Sequence, residues 1–352
     1  MRTASLLFAL LTILSACGSP GPATSSAIPS TANTAPSAAA SSVAQSSGAA
    51  QGTPVSISMG YIPDVQFAPF YVAQAKGYYA DEGLNVQINH GFVNDALVQV
   101  AQGQLTFANA AGDEILVARA QQIPIKLVFQ TFQKYPIAVF SKQAQNITAP
   151  SDLIGKTVGV PGRFGATYIG LLGMLYAQDL PQDQVNITEI GFTQAEAVRA
   201  DQVPAAVGYF NNEPLQLQSS GVPVNVLRVS DYISLVSNGI VASEDTIANN
   251  PDLVRRFNRA TARGLQDTLD DPDAAFDLSL QFIPELPAER QPQEREKLKQ
   301  TLDLWRSEAS TANGLGYSDP QQWETTHRFL RDSELLSTDV DVTQAFTNDL
   351  RQ

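Results

Sequence analysis

The chain has 352 residues, 43% of them hydrophobic, and carries 22 basic against 35 acidic side chains for a net charge of −13. That balance argues against a nucleic-acid partner, because neutralising phosphates needs clustered Lys and Arg. A single cysteine and two histidines, His90 and His327, exclude an internal disulfide and a Cys/His metal site, and they leave a Ser-His-Asp triad without support.

Arg2, an apolar run over residues 5–14 and the small residues Ser15 and Ala16 read as a secretory signal over residues 1–16. The run holds about ten apolar residues, whereas crossing a bilayer core takes roughly 20. Leu14-Ser15-Ala16-Cys17 resembles a bacterial lipobox, in which the chain is cut before the cysteine and the thiol is lipidated. Several acyl chains anchor a protein stably where one binds marginally, so Cys17 is expected to tether the protein to the outer face of the cell membrane. Residues 18–53 are almost entirely Gly, Ser, Ala, Thr, Pro and Gln, the composition of a disordered tether that begins at Cys17. Ordered structure is expected from about Val55. There is no GxxxxGK[ST] phosphate loop, and no pair of carboxylates is marked out as acid and base.

From Val55 strands and helices alternate. Strands are predicted over 55–61, 86–89, 105–109, 125–130 and 137–141, with helices from Pro69 to Lys76 and over 94–102 and 113–122. After Ser151 the pattern restarts. Strands are predicted over 156–160, 185–190, 205–210 and 224–229, helices over 167–178, 194–200 and 213–220, and a return strand over 235–242. The remainder reads as helix, with Asn250-Pro251, Asp271-Pro272 and Asp319-Pro320 as starts. Trp305 and Trp323 fall on its apolar stripes and read as core. Alternating elements argue for sheets covered by helices. The expected layout is one lobe of 55–141 plus 242–352, a second of 142–241, hinge crossings near 141 and 241, and a helical tail returning to the first lobe. A cleft between two lobes is a favoured place for a small molecule, and hinge closure is the matching motion.

Gly60-Tyr61-Ile62-Pro63-Asp64-Val65-Gln66-Phe67-Ala68-Pro69-Phe70-Tyr71-Val72-Ala73, followed by Lys76-Gly77-Tyr78-Tyr79 and Glu82-Gly83-Leu84, resembles the opening of a family of thiamine-pyrimidine precursor binders, sulfonate binders and pyrimidine synthases. The resemblance implies the α/β type II periplasmic-binding-protein fold and, for most members, solute capture for an ABC permease by a monomer without a resident cofactor. One branch binds riboflavin. The run Ala205-Ala206-Val207-Gly208-Tyr209-Phe210-Asn211-Asn212-Glu213-Pro214 and the Asp231-Tyr232 … Leu235-Val236-Ser237-Asn238-Gly239 segment resemble that branch. Asp64 departs from the opening pattern, where relatives often carry Asn. The synthases depend, as the resemblance implies, on a cysteine-rich iron-binding stretch, and this chain has no cysteine after Cys17.

The candidate ligand contacts sit at the predicted carboxyl ends of strands, where open α/β sheets bind ligands. Tyr61 and Phe67 are expected to stack on a flat ring, with Tyr71 beside them and Asp64 accepting from a ring N–H. Asn109 ends a strand and opens a helix, where it is equally able to cap that helix or to meet a carbonyl. On the second lobe, Arg163, Phe164 and Tyr168 flank a glycine turn, with the first two placed to clamp a ring or carbonyl. Tyr209, Asn211, Asn212 and Glu213 follow another strand and suit a polar, hydroxyl-rich, uncharged solute. An anion site would want several cations, and these candidates supply only Arg163 against Asp64 and Glu213. A neutral heterocycle fits better: riboflavin, or a formylaminopyrimidine-type precursor, which needs fewer aromatics.

Overall fold

In a computed structural model, residues 52–91 and 95–352 are described. The signal over 1–16, Cys17 and nearly all of the tether therefore lie outside the described residues. Order begins slightly earlier than expected: Thr53, assigned above to the tether, already pairs with Leu84 in the first strand.

Ten strands form two five-stranded sheets. The first contains β1 (Thr53–Ser58), β2 (Leu84–Asn89), β3 (Phe107–Ala110), β4 (Ile125–Phe129) and β10 (Gly239–Ser243), in the order β2-β1-β3-β10-β4. The second contains β5 (Ile137–Lys142), β6 (Thr157–Val160), β7 (Asn186–Glu189), β8 (Ala205–Tyr209) and β9 (Val224–Arg228), in the order β7-β6-β8-β5-β9. Within each sheet the strand entering from the other side runs antiparallel: β10 against β3 and β4, and β5 against β8 and β9. The central strands are buried along their length, as continuous apolar runs such as Ile137-Ala138-Val139-Phe140 require.

This topology moves the expected lobe boundary. The strand over Ile137–Lys142, placed above in the first lobe, belongs to the second sheet, because its ladder partners are Tyr209–Ala205 and Arg228–Val224. The crossings are therefore residues 130–136 and 229–238, each a few residues earlier than predicted. The return strand likewise starts at Gly239, not at residue 235. Val236 is diverted to other partners: its carbonyl accepts from Gly112 N–H (3.2 Å), and its N–H donates to Thr326 Oγ1 (2.9 Å).

Helices α1 (Ala68–Ala75), α2 (Tyr78–Asp81), α3 (Ala96–Ala101) and α4 (Gly112–Ala120) accompany the first sheet. Helices α5 (Gly165–Ala177), α6 (Gln194–Arg199) and α7 (Glu213–Ser219) accompany the second. The C-terminal region supplies α8 (Glu244–Asn249), α9 (Pro251–Asp270), α10 (Pro272–Ser279), α11 (Gln291–Thr301), α12 (Glu308–Asn313) and α13 (Pro320–Asp332). The predicted starts hold: Pro251, Pro272 and Pro320 each occupy a first helical position, and Asp271 Oδ1 and Asp319 Oδ1 accept from Ala274 and Gln321 N–H.

The tail returns to the first sheet, as expected, through α9. Phe257 on α9 stacks on Phe107 of β3 (centroids 4.4 Å apart) and on Tyr79 of α2 (5.1 Å). The tail also reaches the second sheet: α13 places Phe329 against Tyr176 of α5, whose hydroxyl donates to Asp332 (2.6 Å). Both tryptophans are fully buried, as predicted.

Gly264 allows α9 to lie directly on α1. A Cβ there would stand 2.1 Å from the Pro69 carbonyl oxygen and 2.8 Å from the Ala73 Cβ. Alanine gains about 1 kcal/mol of helix propensity over glycine, but inserting a methyl group into a filled contact costs about 1–3 kcal/mol with backbone shifts, and this contact is with backbone. Gly264→Ala should lower the urea midpoint with little change in the slope of the transition.

Candidate functional site

A cavity of about 310 Å³ lies between the two sheets, at the lower end of the size range of small-molecule sites. Its walls are the loops that leave the carboxyl ends of strands. The β1 exit gives Tyr61 and Phe67, the β3 exit gives Asn109, Asp113 and Glu114, the β6 exit gives Phe164 and Thr167, and the β8 exit gives Tyr209, Asn211, Asn212 and Glu213. Phe132 and Asn238 come from the two crossings, Phe192 and Gln194 from the start of α6, and Lys297 from α11.

Most of the aromatic and amide residues expected to contact ligand are thus brought together. Tyr61, Phe67, Phe164 and Tyr209 present rings to the cavity. Phe67 is almost fully buried at the floor, while Phe164 is 63% exposed and forms the rim with Phe192 at 70%. Asn211 is buried, and its Nδ2 donates to Thr301 Oγ1 of α11 (2.7 Å) while Oδ1 is left without a hydrogen-bond partner. Asn212 Oδ1 accepts from Gln216 (3.1 Å). Glu213 folds back so that Oε2 accepts from Tyr209 N–H (2.8 Å). Gly208 makes that possible, since a Cβ there would stand 2.6 Å from the same oxygen.

Four expected contacts are placed elsewhere. Tyr71 is core: α1 turns its ring inward to stack on Phe282 (4.7 Å, 3° between planes), and its hydroxyl meets His90 Nε2 (3.0 Å). Asp64 lies behind the wall, capping the turn at Gln66 through Oδ1 (3.0 Å) and pairing through Oδ2 with Lys297 Nζ (2.5 Å). Each of its carboxylate oxygens is already engaged by a donor of the protein. Arg163 turns outward, donating to the Ile187 carbonyl (2.9 Å) beside Glu189. Tyr168 lies on the far side of α5 from the cavity-facing Ala166 and Thr167, with its hydroxyl accepting from Gln182 (3.1 Å).

Lys297, Asp113 and Glu114 were missed. Lys297 lies in a charged stretch, Glu294-Arg295-Glu296-Lys297, that reads as a solvated helix face. Only the return of α11 to the loop after β1 reveals that it is buried. Asp113 and Glu114 read as first-turn residues favourable to a helix dipole, and nothing local signals that Asp113 is buried.

The electrostatics are those of an acid-lined pocket with one cation. Burial works against the Lys297 charge, but Asp64 and then Glu294 (3.6 Å) outweigh it and hold the ammonium pKa above its ordinary value. Burial pushes the Glu213 carboxyl up, against the pull of the backbone N–H groups and Lys297. Glu114 is solvent-exposed at the cavity wall; partial desolvation of its carboxyl raises it in the same direction, opposed by its hydrogen bond from Ala111 N–H (2.8 Å). Asp113 is pushed up to about 7 by burial and by the neighbouring Glu114. Tyr61 is raised by burial and Asp64, and Tyr209 by burial and Glu114. Among the described residues no cluster could hold a metal ion.

The chemistry of the site is therefore recognition. It can stack a flat ring, meet hydrogen-bond donors and acceptors with amides and carboxyls, and offer no free positive charge to an anion. Two mixed α/β sheets with a cavity at their facing strand ends define the periplasmic-binding-protein architecture. The aliphatic sulphonate binding protein SsuA of Escherichia coli shares that fold, with a TM-score of 0.67 over 85% of this chain and 99% of its own at 14% identity. The chain belongs to the NMT1/THI5-like family, which matches residues 64–275. It is 45% identical to the riboflavin-binding protein RibY of Chloroflexus aurantiacus, over 99% of this chain and 97% of that one. It is 25% identical to the formylaminopyrimidine-binding protein of Halalkalibacterium halodurans, over 84% and 89% of the two chains.

Removing one member of a buried ion pair strands the other and costs about 3–5 kcal/mol. Asp64→Ala should destabilise the fold by about 3 kcal/mol, read from chemical denaturation, because Glu294 still offers Lys297 a partial partner.

Proposed function

We propose that this chain is an extracytoplasmic lipoprotein that captures riboflavin and presents it to an ABC permease. The observation that carries the reading is the cavity between the sheets. It combines aromatic rings at its floor and rim with four asparagines, and its single basic side chain is already neutralised by Asp64. A flat isoalloxazine ring has faces to stack, its imide offers a donor between two acceptors, and its ribityl hydroxyls suit amides and carboxyls. The 45% identity to a riboflavin-binding protein, along nearly the whole of both chains, supports the same solute. The flavin is cargo here, not a cofactor.

A pyrimidine precursor of thiamine is the second reading, favoured by the similarity to the formylaminopyrimidine-binding protein. That solute uses fewer rings than this cavity offers. A synthase of the same family is the least supported, since Cys17 is the only cysteine in the chain.

Cys17 would carry the lipid and the segment from residue 18 to the start of β1 at Thr53 the leash, keeping the binding domain near its permease at the outer face of the membrane. No described helix is long and apolar enough to cross a membrane.

Titrating riboflavin with the purified domain from residue 52 should quench flavin fluorescence saturably and with 1:1 stoichiometry. Saturable calorimetric binding of a formylaminopyrimidine without flavin quenching would overturn riboflavin in favour of the second reading. Tyr209→Ala should weaken flavin binding by about tenfold, the loss expected of one stacking ring and its buried area. Mass spectrometry of membrane-extracted protein should show acyl chains on a fragment beginning at Cys17.

A further inference from the structure

Asp113 is one of two residues of the cavity wall, with Asn211, that carry a buried side-chain oxygen without a hydrogen-bond partner. It is 5% exposed, it lines the cavity, and its Oδ1 is buried without a hydrogen-bond partner. Leaving a buried acceptor unmet is costly, most of all when it is charged, so the folded chain gains where a proton or a ligand satisfies it. The groups that face it are acidic or phenolic. Glu114 is its neighbour on α4, Tyr135 on the first crossing hydrogen-bonds the carboxyl through its hydroxyl, and Tyr209 ends β8. Tyr61 and Glu213 line the same cavity, and its one cation, Lys297, is held by Asp64. No described cation is paired with Asp113. The first turn of α4 supplies backbone N–H groups that favour the carboxylate, but burial and Glu114 together outweigh them.

A neutral carboxylic acid carries a donor and an acceptor side by side. That is the complement of a cis-amide edge, an N–H beside a C=O, as in a ring imide or lactam. We propose that Asp113 reads the solute through such an edge, its carbonyl oxygen accepting from the ring N–H and its acid O–H donating to the adjacent carbonyl. This assignment rests on the flavin reading above, in which the edge is the imide of the isoalloxazine ring. It makes capture proton-linked: the ligand selects the protonated acid. Binding is full below the pKa of Asp113 in the empty protein and weakens as pH rises through it. A carboxylate acting only as an acceptor would give the opposite slope.

The experiment is riboflavin titration by fluorescence between about pH 6 and pH 8.5, with the native domain, Asp113→Asn and Asp113→Ala, each shown to be folded by circular dichroism. Across that range the native dissociation constant should rise at least about tenfold, since one pH unit above the pKa removes about nine-tenths of the acid form. Asparagine keeps a donor beside an acceptor and does not titrate. Asp113→Asn should therefore bind within about threefold of native at the acid end and stay flat with pH, while Asp113→Ala should lose about tenfold or more, the worth of a lost buried hydrogen bond.

3-Methylriboflavin, which lacks the imide N–H, should bind the native protein at least about tenfold more weakly than riboflavin, whereas Asp113→Ala should scarcely distinguish the two. Equal riboflavin affinity in native and Asp113→Ala would overturn the assignment. So would a pH slope that survives in Asp113→Asn, since the proton would then sit on Glu114 or Glu213. Failure of the native domain to bind riboflavin at all would overturn the flavin reading itself, and so separates the two.

Discussion

Strand β10 hydrogen-bonds to β3 on one side and to β4 on the other, antiparallel to both, and β5 does the same between β8 and β9. The first sheet is not complete until the chain has passed through the second and back. That double crossing sets the rest of the molecule. The loops leaving β1 and β3 must face those leaving β6 and β8, with Phe132 and Asn238 of the crossings between them. Side chains more than a hundred residues apart, such as Tyr61 and Tyr209, then line one cavity.

The tail closes the arrangement. Helix α9 seals the first sheet through Phe257, while α11 brings Lys297 to the loop after β1 and Thr301 to Asn211 on the β8 side. One helix thus holds both walls of the cavity. Its contacts are polar and buried, so they cost desolvation and are favourable only when every partner is in place. The Asp64–Lys297–Glu294 group is paired in this way. The carboxyls of Asp113, Glu114 and Glu213 form no ion pair with a described cation, and desolvation raises all three. A wall of acids and amides beside aromatic rings, with its one cation already paired, suits an uncharged heterocycle and disfavours a phosphate or sulfonate.

The local grammar of the chain was legible. Proline after Asn or Asp marked the helix starts at residues 251, 272 and 320, and the apolar runs of the central strands announced their burial. The aromatic and amide residues at strand exits reached the cavity because a strand's carboxyl end has a defined direction in this architecture. The errors at the site came from side-chain choice. Asp64 and Tyr71 sit within a few residues of Phe67, but a helical turn rotates Tyr71 into the core, and Asp64 is claimed by a partner 233 residues away. Arg163 and Tyr168 flank a turn whose path directs them outward.

Sequence alone therefore determined what depends on neighbours along the chain: the alternation of elements, their caps, the class of fold, the family, and a cation-poor composition at strand exits. Tertiary structure decided which charges are buried and what they meet. Lys297 looks like one member of a solvated charge run until α11 folds against the first loop, and Asp113 looks like an ordinary first-turn carboxylate until the second sheet covers it. The pKa of a carboxyl is set by desolvation and by charges a few ångströms away. Those neighbours come from both sheets and the tail, so the acidity of the pocket exists only in the folded chain.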